Sequence, residues 1–276
     1  MHAAHLAGKV ALVSGVGRSP GIGRATALRL ARAGAHVACA ELVGDSGSAD
    51  TGSADRALFD RIVAEVEDAG PGEVLALPMS ELGGWDRVVD SVLTRFARLD
   101  ICCALNGVTG AEAGNGPLIE LTADSWQRCL DGNLTASFAL MTEAARALIG
   151  RGSPGAIVAL SSHAAQSPAA GVGAVGAARA AVQHLVAVLA QELAPHGIRC
   201  NAVSPLAVLP EDRFANPGLV AFAERAAGSL SAWLAEGVPL GRGQSADETA
   251  AVVEFLCSDD ASYVTGVTVP VAGGAR

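Results

Sequence analysis

Lysine and tyrosine are almost missing from this chain: in 276 residues Lys9 is the one lysine and Tyr263 the one tyrosine. No phenol and ammonium can therefore stand one helical turn apart anywhere in it. Basic residues are otherwise all arginine, the net charge is −9, and no stretch forms a basic stripe, which argues against a partner rich in nucleic-acid phosphates. The six cysteines (Cys39, Cys102, Cys103, Cys129, Cys200, Cys257) show neither a CxxC pair nor zinc-like spacing. Cys102 and Cys103 lie side by side in an apolar run and read as buried thiols of a reducing cytoplasm. Met1–Lys9 has no apolar core of a signal peptide, and no later apolar run reaches membrane-spanning length without interruption. The expectation is a soluble, cytoplasmic protein with no membrane partner and no bound metal.

Half of the residues are apolar and 33 are glycine, and the length suits one large α/β domain. Short apolar runs predict strands at 9–14, 35–41, 73–78, 100–105, 156–161, 198–203 and 267–271. Longer helical patterns fall between them at 21–34, 56–69, 85–97, 123–149, 173–194 and 247–257. Repeated βαβ units with nearly continuous apolar strands imply a Rossmann-type, doubly wound parallel sheet in a single domain spanning 1–276. The small polar repeat at 44–55 should be a mobile loop.

In such sheets ligands bind beyond the carboxyl ends of the strands, where the strand order reverses. The first strand is followed there by Ser14-Gly15-Val16-Gly17-Arg18-Ser19-Pro20-Gly21-Ile22-Gly23. Glycines between a strand and a helix let backbone amides approach a pyrophosphate at the positive end of the helix. Glu41, at the end of the second strand, can accept hydrogen bonds from an adenosine ribose and disfavours a 2′-phosphate, which points to NAD. Arg18 argues the other way, since its guanidinium could pair with that phosphate of NADP.

This turn is followed by Asn133, Ser161-Ser162, Ile198-Arg199-Cys200-Asn201-Ala202-Val203-Ser204-Pro205 and Ser258-Asp259-Asp260-Ala261-Ser262-Tyr263-Val264-Thr265-Gly266. In that order and spacing, over essentially the whole chain, the sequence resembles the short-chain dehydrogenase/reductase family. The resemblance implies catalytic roles for Asn133 and Ser162. It implies cofactor contacts at Gly15, Arg18, Gly21, Ile22, Gly23, Glu41, Gly107, Arg179 and Val208, and a homodimer or homotetramer. The family's Tyr-x-x-x-Lys falls on Val175 and Arg179. Its Asn-Asn-Ala-Gly is Ala104-Leu105-Asn106-Gly107 here, and the glycine-rich turn is two residues longer.

Val175 has no proton to move. Arg179 could hold a ribose diol or a substrate oxyanion, or be structural. Ser162 could polarise a carbonyl, Asn133 could hold a water chain or a helix irregularity, and His163 could replace the lost proton donor. The segment 206–240 resembles a substrate lid, and Gly171, Gly173 and Gly176 should leave room beside Val175 for a bulky, largely apolar small molecule. The first expectation is non-redox chemistry (cyclisation, isomerisation, elimination or dehydration) in bacterial specialised metabolism, with the nucleotide structural or absent. The alternatives are a divergent NAD(P)-dependent oxidoreductase with a substitute proton donor, and a silent subunit of an active paralogue.

Overall fold

Val10–Ser14 (β1) and Ile101–Ala104 (β5) are buried at every position, as strands must be when helices cover both faces of their sheet. The computed structural model describes residues 4–18, 21–44, 54–110, 113–209 and 217–275. The other strands are β2 (His36–Gly44), β3 (Ala54–Asp55), β4 (Val74–Met79), β6 (Gly155–Leu160), β7 (Ile198–Pro205) and β8 (Thr268–Val271). The eight form one sheet, ordered β4-β2-β1-β5-β6-β7-β8, with the short β3 pairing the Val43–Gly44 end of β2. Every pairing is parallel. The strand order reverses between β1 and β5, which places the ligand crevice above those two strands.

Side chains alternate across the sheet. Leu12, Ala38, Ala104 and Ile157 face one layer, with α3 (Trp85–Phe96), α5 (Ala136–Arg151) and α6 (Gly173–Leu193). Ala11, Val13, Val37 and Val158 face the other, with α1 (Ile22–Arg32), α2 (Arg56–Ala69) and α9 (Ala246–Cys257). The remaining helices are α4 (Ala123–Leu130), α7 (Pro217–Ala227) and α8 (Leu230–Gly237). The doubly wound fold expected from the pattern is the one observed.

Four segments gain detail that the pattern did not show. The single helix over 123–149 is instead α4 and α5 joined by a π turn, Asp131–Thr135. The loop expected at 44–55 is partly ordered: β2 runs on to Gly44 and Ala54–Asp55 is a strand, while 45–53 lie outside the described residues. The lid segment contains α7 and α8, with 210–216 outside the described residues. Gly173–His196 is long and apolar enough to cross a membrane by length and composition, but half of it is buried inside the fold. Its apolar side chains Val182, Val186, Leu189 and Leu193 belong to the core beside the sheet. All six cysteines are free and buried, and burial pushes the Cys39 thiol up to about 12.

At the edge away from the crevice, Asp100 ties the entry to β5. Its carboxylate accepts from Val10 N (2.8 Å) and from Arg98 Nε (2.9 Å) and Nη2 (2.8 Å), and pairs with Arg151. Burial works against the charge, but the two guanidinium groups and the Val10 amide outweigh it and hold the carboxyl below its ordinary value. A depressed carboxylate stabilises the fold above its unfolded pKa and loses that contribution as pH falls through the folded one. Asp100→Asn is expected to cost about 2 kcal/mol at neutral pH, discounted for the partly exposed arginines. In urea titrations the gap from wild type should close as pH falls from about 4 downward. A gap that persists undiminished at pH values below that range would contradict the assignment.

Candidate active site

The helix α1 starts without a side-chain cap, as α3 and α6 also do. Asp55, Thr122, Ser229 and Ser245 cap α2, α4, α8 and α9 with side-chain oxygens. The N-cap of α1 is Gly21, with no side-chain cap and no acidic residue in the first turn. At the carboxyl end of β1, its first amides and its dipole can take a ligand of negative charge. Two glycines make the approach possible. Gly15 takes φ +74°, and a Cβ there would stand 2.6 Å from Leu105 O; a Cβ on Gly23 would stand 2.1 Å from Gly15 O. The turn, β1 and α1 are in backbone contact. Ser19 and Pro20 of the turn lie outside the described residues.

Glu41 reaches this turn from the end of β2. It is buried, and its carboxylate accepts from Gly17 N (2.5 Å) and Leu42 N (2.9 Å). Burial raises its pKa in spite of these amides and the nearby charge of Arg18. Each carboxylate oxygen keeps a further lone pair, and a ribose diol is a donor pair that such a group can accept. Arg18 extends across the crevice, its Nη2 3.4 Å from Gly107 O. Val208 packs against the cluster of Ala25 from α1 with Ala246 and Ala250 from α9, at the rim of the same crevice. These residues fit a dinucleotide: amides for the pyrophosphate, Glu41 for a ribose, and glycines where a Cβ would block the approach.

Past β5 the crevice floor is a buried polar network. Arg179, on α6, donates from Nη1 to Leu160 O (2.6 Å) and Asn133 O (3.3 Å) and from Nη2 to Asn106 O (3.0 Å). It is 4% exposed, and desolvation pushes its pKa down to about 10. A Cβ on Gly107 would stand 2.1 Å from Nη2, so glycine there is what lets the guanidinium reach Asn106. Asn133 sits in the π turn. Its Nδ2 donates to Val108 O and Cys129 O (both 3.0 Å), and its Oδ1 accepts from Val108 N (3.2 Å). Of the two roles expected for Asn133, the helix irregularity is the one with visible bonds. Asn106, which the sequence reading did not single out as a site residue, accepts from Ser14 Oγ (3.1 Å) and donates to Gly132 O (3.2 Å). Its only signal was a polar side chain directly after an apolar strand.

Ser162 follows β6, half-buried, and its Oγ accepts from Ala164 N (3.3 Å). His163 opens the 3₁₀ turn His163–Ala165; its side chain is buried, its Nδ1 has no partner, and desolvation lowers its pKa. A neutral imidazole therefore stands beside Ser162 at neutral pH. The room expected beside Val175 is filled at Gly173 and Gly176, though not at Gly171. A Cβ on Gly173 would meet Leu118 at 2.8 Å and one on Gly176 would meet Ala164 O at 2.7 Å. Val175 itself is buried with Cys129, Ala174 and Ala178. These glycines serve close packing of α6. Tyr263 is fully exposed and Lys9 precedes β1 at the opposite end of the sheet, so neither reaches the crevice.

Residues 15–276 match the family described as Enoyl-(Acyl carrier protein) reductase. The chain is 32% identical over 275 residues to the (3R)-3-hydroxyacyl-CoA dehydrogenase of Rattus norvegicus, covering 96% of this chain and 95% of that protein. It is 31% identical to the trans-4-hydroxycyclohexanecarboxylate dehydrogenase of Sinomonas cyclohexanicum, covering 98% and 93%. The solved structure of carveol dehydrogenase from Mycobacterium avium in complex with NAD superposes with a TM-score of 0.82 at 26% identity, covering 98% of both chains. These relatives are dehydrogenases along the whole aligned length, which overturns the expectation of non-redox chemistry. A match this long, on a sheet with this strand order, means that the chain belongs to the short-chain dehydrogenase/reductase family.

Proposed function

We propose that this protein is a nicotinamide-nucleotide oxidoreductase interconverting a hydroxyl and a carbonyl group on an apolar small molecule, with NAD(H) preferred to NADP(H). The observation that carries the reading is Glu41, a buried carboxylate bonded to the amide of Gly17 in the glycine-rich turn before α1. A 2′-phosphate next to it would meet like charge, whereas a ribose diol would satisfy it. A bound nicotinamide nucleotide would supply the hydride chemistry.

This chain's residues would do the rest. Gly15, Gly21, Ile22 and Gly23 present the amides of the turn and of α1. Arg179, Asn133 and Gly107 hold the floor that carries the loop after β5 and the end of β6. Ser162 donates to the substrate oxygen, and the proton exchanged there passes to neutral His163 or to water. Leu206, Leu209, Leu219, Leu230 and Trp233 pack around Ala207, Leu234 and Val238, an apolar cluster over the crevice that suits an apolar substrate. Self-association fits the exposure of Trp126, Phe138 and Ile149 on α4 and α5.

Calorimetric titration with NAD+, NADH, NADP+ and NADPH tests the reading. NAD(H) is expected to bind at least about tenfold tighter than NADP(H), a unit charge conflict at the ribose being worth that much. Tighter NADP(H) would refute the preference, and no binding of any of the four would end the oxidoreductase reading.

A further inference from the structure

Buried polar side-chain atoms in this fold almost all have partners. Among the described residues three lack one: Thr26 Oγ1, Trp85 Nε1 and His163 Nδ1. Of these only the imidazole of His163 gains or loses a proton near neutral pH. The residue is 8% exposed and directly follows Ser162 at the carboxyl end of β6. A buried nitrogen without a partner costs about 1–3 kcal/mol, and its retention calls for a catalytic role, a ligand or a water.

The backbone that carries the ring is held from several sides. Ala164 N donates to Ser162 Oγ (3.3 Å), and Gln166 N and Ser167 N donate to His163 O (both 2.9 Å). Gln166 Oε1 accepts from Ser204 Oγ of β7 (3.3 Å). Gly176 of α6 lies so close that a Cβ there would stand 2.7 Å from Ala164 O. The 3₁₀ turn is thus clamped between β7 and α6 while Nδ1 stays unbonded. A fixed seat under a free ring nitrogen suits a group that transfers protons. The titratable side chains of α6 are Arg179, His184 and Glu192, and those of β7 are Arg199 and Cys200. None of them shifts the titration of His163, which desolvation lowers. The imidazole is therefore uncharged at neutral pH and accepts a proton more readily than it gives one.

We propose that His163 is the catalytic base of this site and sets it, at neutral pH, to oxidise a hydroxyl group rather than reduce a carbonyl. This assignment rests on the nicotinamide reading above and narrows its proton path to the imidazole. In the step, the hydroxyl proton passes to His163. The hydrogen on the same carbon leaves with its electron pair to the oxidised nucleotide, which is reduced, and the carbon–oxygen double bond forms. The imidazolium then returns its proton to solvent. Ser162 donates to the substrate oxygen and holds it beside the ring.

The pH dependence of kcat/KM separates the imidazole from water. With NAD+ and a panel of cyclohexanol, 1-phenylethanol and 2-decanol, oxidation should rise with pH to a plateau. Its midpoint should lie below about 6.5, as a base with a lowered pKa requires. Reduction of the matching ketones by NADH should fall about tenfold per pH unit above that midpoint. His163→Gln keeps a polar side chain but cannot titrate. It should lose about 100-fold or more in kcat/KM for oxidation, and the acid limb with it, while calorimetry finds NAD+ affinity unchanged. His163→Ala should regain activity in added imidazole, which a positioning role would not give. Independently of turnover, the 15N resonances of the His163 ring should titrate with the midpoint of the rate profile. A profile without that acid limb, or wild-type kcat/KM in folded His163→Gln, overturns the proposal in favour of water and leaves nucleotide binding standing. A ring that does not titrate between about pH 4 and 8 overturns it as well. If neither variant folds, the wild-type profile and ring resonances decide. NAD+ that binds while no alcohol of the panel is oxidised overturns the proposal alone. Failure of NADH and NAD+ alike to bind would remove the oxidoreductase reading, and this proposal with it.

Discussion

Arg179→Met is expected to lower folding stability by about 3 kcal/mol, seen as a fall in Tm of about 6–12 °C. The residue bonds three carbonyl oxygens contributed by the loop after β5, the π turn and the end of β6. Methionine matches the length of the stem but donates nothing, and an unpartnered buried carbonyl costs about 1–3 kcal/mol. Two effects keep the total below the sum. Asn133 O retains the Ser137 hydroxyl at 3.3 Å, and removing the guanidinium also removes the desolvation cost that lowers its pKa. Differential scanning calorimetry checks the value, and a loss below about 1 kcal/mol would mean that water or a shifted loop replaces the guanidinium. Gly107→Ala should act on the same bonds, because its methyl would stand where Nη2 sits. Its effect added to Arg179→Met should fall short of the two separate losses, since both remove one interaction.

Gly23→Ala carries the other large effect. A Cβ at this position would lie 2.1 Å from Gly15 O and 2.5 Å from Gly15 C. Both partners are backbone at the joint of β1 and α1, so no side chain can swing aside. The helix must move off the turn, costing about 1–3 kcal/mol and withdrawing the uncapped amides from the crevice. NADH affinity should fall about 100-fold or more, the scale on which an ångström of misplacement acts. Gly150→Ala is the control. Gly150 lies in α5 with no atom within 4 Å of a new Cβ, so alanine should be neutral or stabilising by up to about 1 kcal/mol. If Gly23→Ala binds NADH as wild type does, the amides of α1 are not the pyrophosphate site.

The strands were legible because parallel sheets covered on both faces leave nearly continuous apolar runs, and β1, β5 and β6 carry them. The glycine-rich turn was legible because its position between a strand and a helix restricts what glycines there can be for. The break in the 123–149 helix was legible only in part, as a possible irregularity at Asn133. Asp131-Gly132-Asn133-Leu134-Thr135 is rich in poor helix formers, but the form of the break goes with bonds from Asn133 to Val108, which is 25 residues away. The room imagined beside Val175 failed for the same reason. A glycine reads as space in sequence, while Leu118 and Ala164 O, from other elements, occupy it. The chemistry was misjudged because a missing phenol at one helix position says nothing of the remaining crevice, whose glycine turn and Glu41 fit a dinucleotide.

Composition alone determined that no tyrosine and lysine could stand one turn apart on a helix of this protein, since the one of each lies at Tyr263 and Lys9. Pattern alone determined a parallel, doubly wound sheet and where its ligand crevice opens. Tertiary structure decided what fills the crevice floor. Arg179 could have been a ligand anchor or a structural cation from its sequence position, and the difference depends on carbonyls at Asn106, Asn133 and Leu160 that only folding brings together. Backbone oxygens look the same in every sequence. Which of them lose water, and which side chain reaches them, is settled when β5, β6, the π turn and α6 close on one another.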